Sequence, residues 1–242
     1  VAEKMKIDIL VFAAHPDDAE LACSGTIAKH VASGKKVGII DLTEGELGTR
    51  GTIELRKKEA ANSSEILGVS FRDNLCFADG FFRNDKEHQL AVIAKIRQYQ
   101  PEIVLANSIN DRHPDHGRAA KLVADACFYS GLLKVETKVG GKQQQKWRPK
   151  SVYHYIQDYS LEPDFVVDIS DFFETKKKAI LAFSSQFYDP NNTEPGTPIS
   201  SKEFLNFIKA RDIHFGRPIG ARYAEGFKVN RSIGVNDLFN LV

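Results

Sequence analysis

Two clusters of histidine and carboxylate stand directly behind apolar runs. His15, Asp17, Asp18 and Glu20 follow residues 7–14 (IDILVFAA), and His113, Asp115 and His116 follow residues 102–108 (EIVLANS). Polar groups packed behind a core strand are costly to place there unless a cation or a reaction uses them. His15 and Asp18 are three residues apart, and Pro16 favours a first helical turn, so both can face one point above the strand end. His116 completes a set of two imidazoles and one carboxylate. Such a set, with no thiolate, suits zinc and tolerates iron or another first-row divalent ion, and three protein ligands leave room for water and substrate. Asp17 is then adjacent to the metal without being needed as a ligand, placed to take a proton from the water the metal activates. His113, held by Asp115 or another acid, is placed as an imidazolium to stabilise an oxyanion or to protonate a leaving group. Together these parts describe hydrolysis of a carbonyl or similar electrophile.

Taken singly, each residue has a plainer role. An Asp ahead of a helix usually caps it, and a His at a strand end is usually a hydrogen-bonded rim residue. Two separate strands both ending in His-Pro-Asp are an odd way to cap two helices, which shifts the weight to chemistry. His30, His88, His154 and His214 lack such company and read as structural or surface residues.

The elements that must carry these clusters follow from periodicity and breakers. Residues 7–14 form a buried strand, 21–33 a helix closed by Gly34, and 36–42 a second strand, making a right-handed parallel βαβ unit. Residues 43–52 (TEGELGTRGT) form a loop without the G-x-G-x-x-G spacing of a dinucleotide fingerprint, so a flexible connection is its main reading and a lid its alternative. A helix over 53–67 with Gly68 as its C-cap, a strand over 69–77 and a turn-rich loop over 78–85 follow. In the helix over 86–99, Leu90, Ile93, Ile96 and Arg97 trace the inward and outward alternation of period 3.6, and Pro101 stops it. A strand over 102–108 and a helix over 117–129 carry the second cluster. Strands are expected over 151–158 and 165–169, helices over 171–187 and 202–214, a loop over 188–198, and a Gly-rich segment over 215–227. The lysine- and glutamine-rich residues 134–150 read as a solvated surface loop.

The fold class is therefore α/β: a Rossmann-like, mostly parallel sheet of order near 3-2-1-4-5, flanked by helices and extended by C-terminal strands and helices, in a single domain over residues 1–242. In that order strands one and four are neighbours at the switch point, so the two clusters meet. A formal net charge of +1 with interspersed signs argues against a nucleic-acid footprint or membrane patch and favours a small-molecule partner. Three scattered cysteines without CxxC spacing argue against a disulfide framework and point to a reducing compartment. Lys4 and Lys6 ahead of the apolar run suggest a leader, but the run is short and acids follow it where a cleavage site should be neutral. No stretch approaches the ~20 apolar residues of a membrane span. A cytoplasmic location is expected.

With these residues in view, AHPDDAE at residues 14–20 together with HPDH at 113–116 resembles the LmbE/PIG-L family of zinc-dependent N-acetylglucosaminyl deacetylases. The resemblance implies His15, Asp18 and His116 as ligands of one zinc, Asp17 as general base, and His113 as the transition-state-stabilising or acid group with Asp115 tuning it. TIELRKKEA at 52–60 and YAEGF at 223–227 resemble the bacillithiol-biosynthesis branch, which removes acetyl from N-acetylglucosaminyl malate. In the family an arginine matching Arg56 contacts substrate. Malate would bring two carboxylates, which makes Arg112, Arg217 and Arg222 further candidates by charge. The resemblance also raises the expectation of a homo-oligomer.

Overall fold

The computed structural model describes residues 6–240; Lys4, weighed above with Lys6, lies outside them. In chain order the elements are β1 (Ile9–Ala13), α1 (Asp18–Ala32), β2 (Val37–Thr43), α2 (Ile53–Leu67), β3 (Phe71–Phe77), α3 (Lys86–Tyr99), β4 (Ile103–Ala106) and α4 (Pro114–Ser130). A small hairpin of β5 (Lys138–Val139) and β6 (Lys142–Gln143) leads to β7 (Ser151–Tyr155), β8 (Phe165–Asp168), α5 (Phe173–Leu181), α6 (Lys202–Gly216) and β9 (Ala224–Lys228). Seven strands form one sheet in the order β3-β2-β1-β4-β7-β9-β8. The first five are parallel neighbours, and β9 runs antiparallel between β7 and β8.

β1 is central because both its faces are apolar. Leu10 and Phe12 join a core with Ile93 and Ile96 of α3 and Leu122 and Val123 of α4, while Ile9, Val11 and Ala13 join another with Ala22, Cys23 and Ile27 of α1. A strand covered on both sides reads as a continuous hydrophobic run, as residues 7–14 do. Ile9 pairs with Ile103, which sets the ends of β1 and β4 side by side.

Helices with complete signals start and stop where the sequence places them. Thr52 accepts the N–H of Leu55 at 3.2 Å and Gly68 ends α2 at φ 67°, while Asp85 accepts the N–H of His88 at 3.1 Å to start α3. Elsewhere the structure departs from expectation. α1 and α4 begin at Asp18 and Pro114, three residues earlier than the apolar periodicity indicates, so Asp18, Glu20, Asp115 and His116 lie inside their first turns while His15, Asp17 and His113 stand just ahead of them. The helix expected over 171–187 is a 3-10 turn (Ser170–Phe172) and then α5, which stops at Leu181; the following residues turn so that the N–H and hydroxyl of Ser185 reach the Glu59 carboxylate, both at 2.7 Å. The Gly-rich segment 215–227 contains strand β9, whose Ala224 is buried against Phe215 of α6 and whose Phe227 is buried in the core that β1 shares with α1.

Arg97, the charged member of the α3 pattern, is turned inward. Its guanidinium donates to the carbonyls of Ser130 (3.0 Å), Leu132 (2.8 Å) and Val135 (2.6 Å) and to the Thr137 hydroxyl (3.0 Å), closing the end of α4. Residues 134–150 are accordingly anchored at both ends, with Trp147 donating to the Pro101 carbonyl at 2.7 Å, although the hairpin itself is exposed. Replacing a buried donor that serves several carbonyls leaves each of them unsatisfied. Arg97→Met is expected to destabilise the protein by about 3 kcal/mol, which a thermal melt would read as a fall of roughly 6–12 °C.

Candidate metal centre and active site

The turns after β1 and β4 converge on the carboxylate of Asp18, the first residue of α1. Its Oδ1 lies 3.1 Å from His116 Nε2 and accepts from Gln157 Nε2 at 2.7 Å. Its Oδ2 lies 3.4 Å from His15 Nδ1 and accepts from the His15 N–H (2.9 Å) and Asn107 Nδ2 (3.0 Å). The outer nitrogen of each imidazole is held by acid: His15 Nε2 lies 3.1 Å from Asp79 and 3.3 Å from Asp115, and His116 Nδ1 lies 2.7 Å from Asp111. Carboxylates on the outer nitrogen fix tautomer and ring orientation in the manner typical of metal-ligating histidines.

The electrostatics describe a shortage of positive charge. Burial alone would lower both imidazole pKa values, yet Asp18, Asp115 and Asp79 hold His15 well above its usual range, and Asp18 and Asp111 push His116 up to about 9. Asp18 stays well below the ordinary carboxylate range, because His116 and His15 outweigh its burial. A divalent cation among His15, Asp18 and His116 would supply that charge, and the donor set fits one. Two sets of donor atoms lie within 4.8 Å of one another among the described residues: His15, His113 and His116, and His15, Asp79 and Asp115. The first differs from the sequence expectation by including His113 rather than Asp18. The second gathers on the outer nitrogen of His15, where Asp115 also accepts the Gly80 N–H (2.8 Å) and pairs with Arg118, so these acids brace the ring.

Asp17 occupies the N-cap position of α1 without capping it. Its backbone has φ 139°, outside the regions a non-glycine residue normally adopts, and its carboxylate pairs with Arg56 Nη2 at 3.0 Å. Burial, reinforced by Asp18 and opposed by Arg56, pushes its pKa up to about 7. Arg56 also donates to the carbonyls of Pro16 (2.8 Å) and Gly45 (3.0 Å), and only glycine fits at position 45, where a Cβ would sit 2.0 Å from the guanidinium. His113 caps α4 through Nδ1, which accepts the Asp115 N–H at 3.3 Å. The Asp115 carboxylate, expected at His113, contacts His15 instead. Burial and the neighbouring His15 and His116 lower the His113 pKa.

A cavity of ≈ 200 Å³ opens above these groups, bordered by His15, Asp17, Asp18, Arg56, His113 and His116 at its base and by Leu47, Arg112 and Asp158 at its mouth. Arg112 is exposed and pairs with Asp158, while Arg217 and Arg222 are not among the lining residues. Residues 43–52 border this cavity but are tied down rather than free: Leu47 donates to Asp79 at 3.0 Å and Arg50 to the Pro195 carbonyl at 2.6 Å. Sequence reasoning missed Asp79, Asn107, Asp111 and Gln157. Asp79 sits in an Ala-Asp-Gly turn that hides it, but Asp111 stands inside the second cluster, and that company was a usable signal.

A mostly parallel α/β sheet with a buried His-Asp-His set at its strand ends and a further carboxylate beside it is the arrangement of a metal-dependent hydrolase. Residues 10–127 match the family model described as PIG-L, GlcNAc-PI de-N-acetylase. Diacetylchitobiose deacetylase of Thermococcus kodakarensis is 30% identical over 233 residues, covering 91% of this chain and 82% of that protein. The chain belongs to the PIG-L family and is an amide-cleaving deacetylase of it. The crystal structure of the conserved protein TT1542 from Thermus thermophilus superposes with TM-score 0.82 at 35% identity, covering 95% of this chain and 98% of that one. 4-Oxalmesaconate hydratase of Pseudomonas putida is also similar, 28% identical over 90% of this chain and 87% of its own length. For the bacillithiol branch, the probable N-acetyl-alpha-D-glucosaminyl L-malate deacetylase 2 of Bacillus cereus is 27% identical over 75% of this chain and 84% of its own.

If Asp79 and Asp111 brace the two imidazoles, Asp79→Asn and Asp111→Asn should each weaken metal binding by about 10–100-fold. Competition with a chromophoric chelator would measure this, and unchanged affinity in both would leave these acids no part in holding a cation.

Proposed function

We propose that the chain uses one zinc ion, held by His15, Asp18 and His116, to hydrolyse the acetamide of an N-acetylglucosamine-containing small molecule. The observation that carries this reading is Asp17: a buried carboxylate next to the donor set, held in a strained backbone and oriented by Arg56, yet neither a cap nor one of the supporting acids. When bound, the ion supplies Lewis acidity toward a carbonyl oxygen and lowers the pKa of water; iron or another first-row divalent ion suits the same donors. Asp17 accepts the proton of the attacking water and later delivers it to the departing amine. His113 accepts a backbone N–H at Nδ1, so its ring is neutral, rather than the imidazolium expected from the sequence, and its Nε2–H can hydrogen-bond the oxyanion of the tetrahedral intermediate while keeping its proton. Acetate and a free amino sugar leave.

The finer expectation, N-acetylglucosaminyl malate as substrate, rests on the resemblance of residues 52–60 and 223–227 and on the Bacillus cereus relative. The second of those segments has a structural use that requires no malate. Tyr223, Ala224, Glu225 and Phe227 are all buried, and Glu225 accepts the N–H groups of Gly25 and Thr26 in α1 at 3.0 and 2.7 Å.

Metal-stripped protein reconstituted with zinc should release free amine from N-acetylglucosamine conjugates. Asp17→Ala should lower kcat by about 10²–10⁴-fold while still binding one zinc. Zinc-loaded protein that cleaves no acetamide but hydrates 4-oxalmesaconate would instead side with the hydratase relative.

A further inference from the structure

The cavity over the donor set has a marked division of character, and on the deacetylase reading above that division bears on what is attached to the amino sugar. One flank is apolar: Leu21 of α1, Ile199, and Phe204 and Ile208 of α6. These side chains are the cavity face of a small core with Ile180, Phe183 and Phe187, in which the Phe204 and Phe187 rings lie parallel at 6.3 Å. The flank is therefore a packed surface.

The rest of the lining offers no unpaired cation to an anion. Among the described residues, Arg56 and Arg112 are the only basic side chains, histidines apart, that line the cavity. Both terminal nitrogens of Arg56 are engaged, by Gly45, Pro16 and Asp17; its Nε has no partner but is buried, and its charge is already matched by Asp17. Arg112 is paired with Asp158. The carboxylates of Asp17, Asp18, Asp79 and Asp158 also line the space, so a divalent ion at the donor set brings the lining to neutrality and no further. A dicarboxylate entering there would lose hydration and meet only arginines whose charge is already matched by a carboxylate. An uncharged group with one apolar face would cover Leu21, Ile199, Phe204 and Ile208 and displace water from them.

We infer that the substrate is an N-acetylglucosamine conjugate whose second moiety is uncharged and presents an apolar face, such as another pyranose ring or an aryl group, lying on the Leu21–Ile199–Phe204–Ile208 flank. The pairing of Arg112 with Asp158 then sets specificity by withholding a cation from acidic conjugates.

The test compares acetate release by the zinc-loaded chain from free N-acetylglucosamine, its phenyl glycoside and its malyl glycoside. The expected result is a kcat/KM for the phenyl glycoside roughly tenfold or more above the free sugar, expressed mainly in KM, with no advantage for the malyl compound. Ile199→Ser, in a loop, and Phe204→Ala should each pull the phenyl-to-free ratio toward unity, with thermal melts identifying any variant that fails to fold. Asp158→Asn, which releases Arg112, should raise the malyl-to-free ratio. Preference for the malyl glycoside, or equal kcat/KM for all three, overturns the inference while leaving deacetylation intact. No acetate from any of them, with zinc bound, is instead the failure of the deacetylase reading itself.

Discussion

The site depends on the burial of more carboxylate than the chain's own cations comfortably neutralise. Asp17, Asp18, Asp79 and Asp115 are buried, and Asp111 lies behind His116. Taking an unpaired charge out of water costs several kcal/mol, so each acid must find donors. Arg56 serves Asp17, Arg118 serves Asp115, and the two imidazoles divide the rest. The surrounding loops are then placed by what these acids still need: Asp79 takes the Leu47 N–H, Asp115 the Gly80 N–H, and Asp111 the N–H groups of Asp158 and Tyr159. A cation is the simplest group that relieves the remaining imbalance, and the two imidazoles turn one nitrogen each toward the acid that would share it.

That imbalance is also why the site was legible before the fold. A run such as residues 7–14 says where a strand is buried, and a histidine with acids immediately behind it contradicts burial unless chemistry intervenes. Parallel pairing of β1 with β4 then follows from two such runs. The boundaries of α2 and α3 were legible for a different reason, since Thr52, Gly68 and Asp85 each supply a complete local cap. The parts that escaped were set by distant contacts. Arg97 points inward because the carbonyls ending α4 lie within its reach, a fact absent from the periodicity of α3. β9 lacks a clear alternating pattern and is a strand because its backbone pairs antiparallel with both β7 and β8, closing the sheet between them. Asp79 looks like any turn aspartate until the neighbouring His15 is in place.

The C-terminal third does more than extend the sheet. Glu225 on β9 takes two N–H groups of α1, and Arg211 of α6 donates to the Leu21 carbonyl at 2.6 Å and to the Gln157 carbonyl. Lys176 of α5 sits between Glu225 and Asp212, 2.8 Å from each. Every member of this network is buried, and removing any one charge would strand another. The helix whose first turn carries Asp18 is thus clamped along its length, and so is the segment whose Gln157 side chain steadies the same carboxylate. Precision at the metal set comes from the chain's far end.

Chemistry and selectivity consequently occupy different stretches of sequence. His15, Asp17, Asp18, Arg56, Asp79, Asp111, His113, Asp115 and His116 all fall within residues 10–127, the span that matches the family model. Asp158, Gln186, Ile199, Phe204 and Ile208, which shape the rest of the cavity, lie beyond it. An arrangement of this kind lets the donor set and its supporting acids stay fixed while the C-terminal segments are rebuilt around different substrates. It accounts for relatives whose names describe a sugar deacetylase and a hydratase of a carboxylic acid resembling this chain at nearly the same level. Overall identity mainly reports the shared machinery, so the decision between substrates has to be read from the residues of the second stretch. In this chain those residues are Ile199, Phe204 and Ile208 of the apolar flank and Asp158, which occupies an arginine of the first stretch, Arg112.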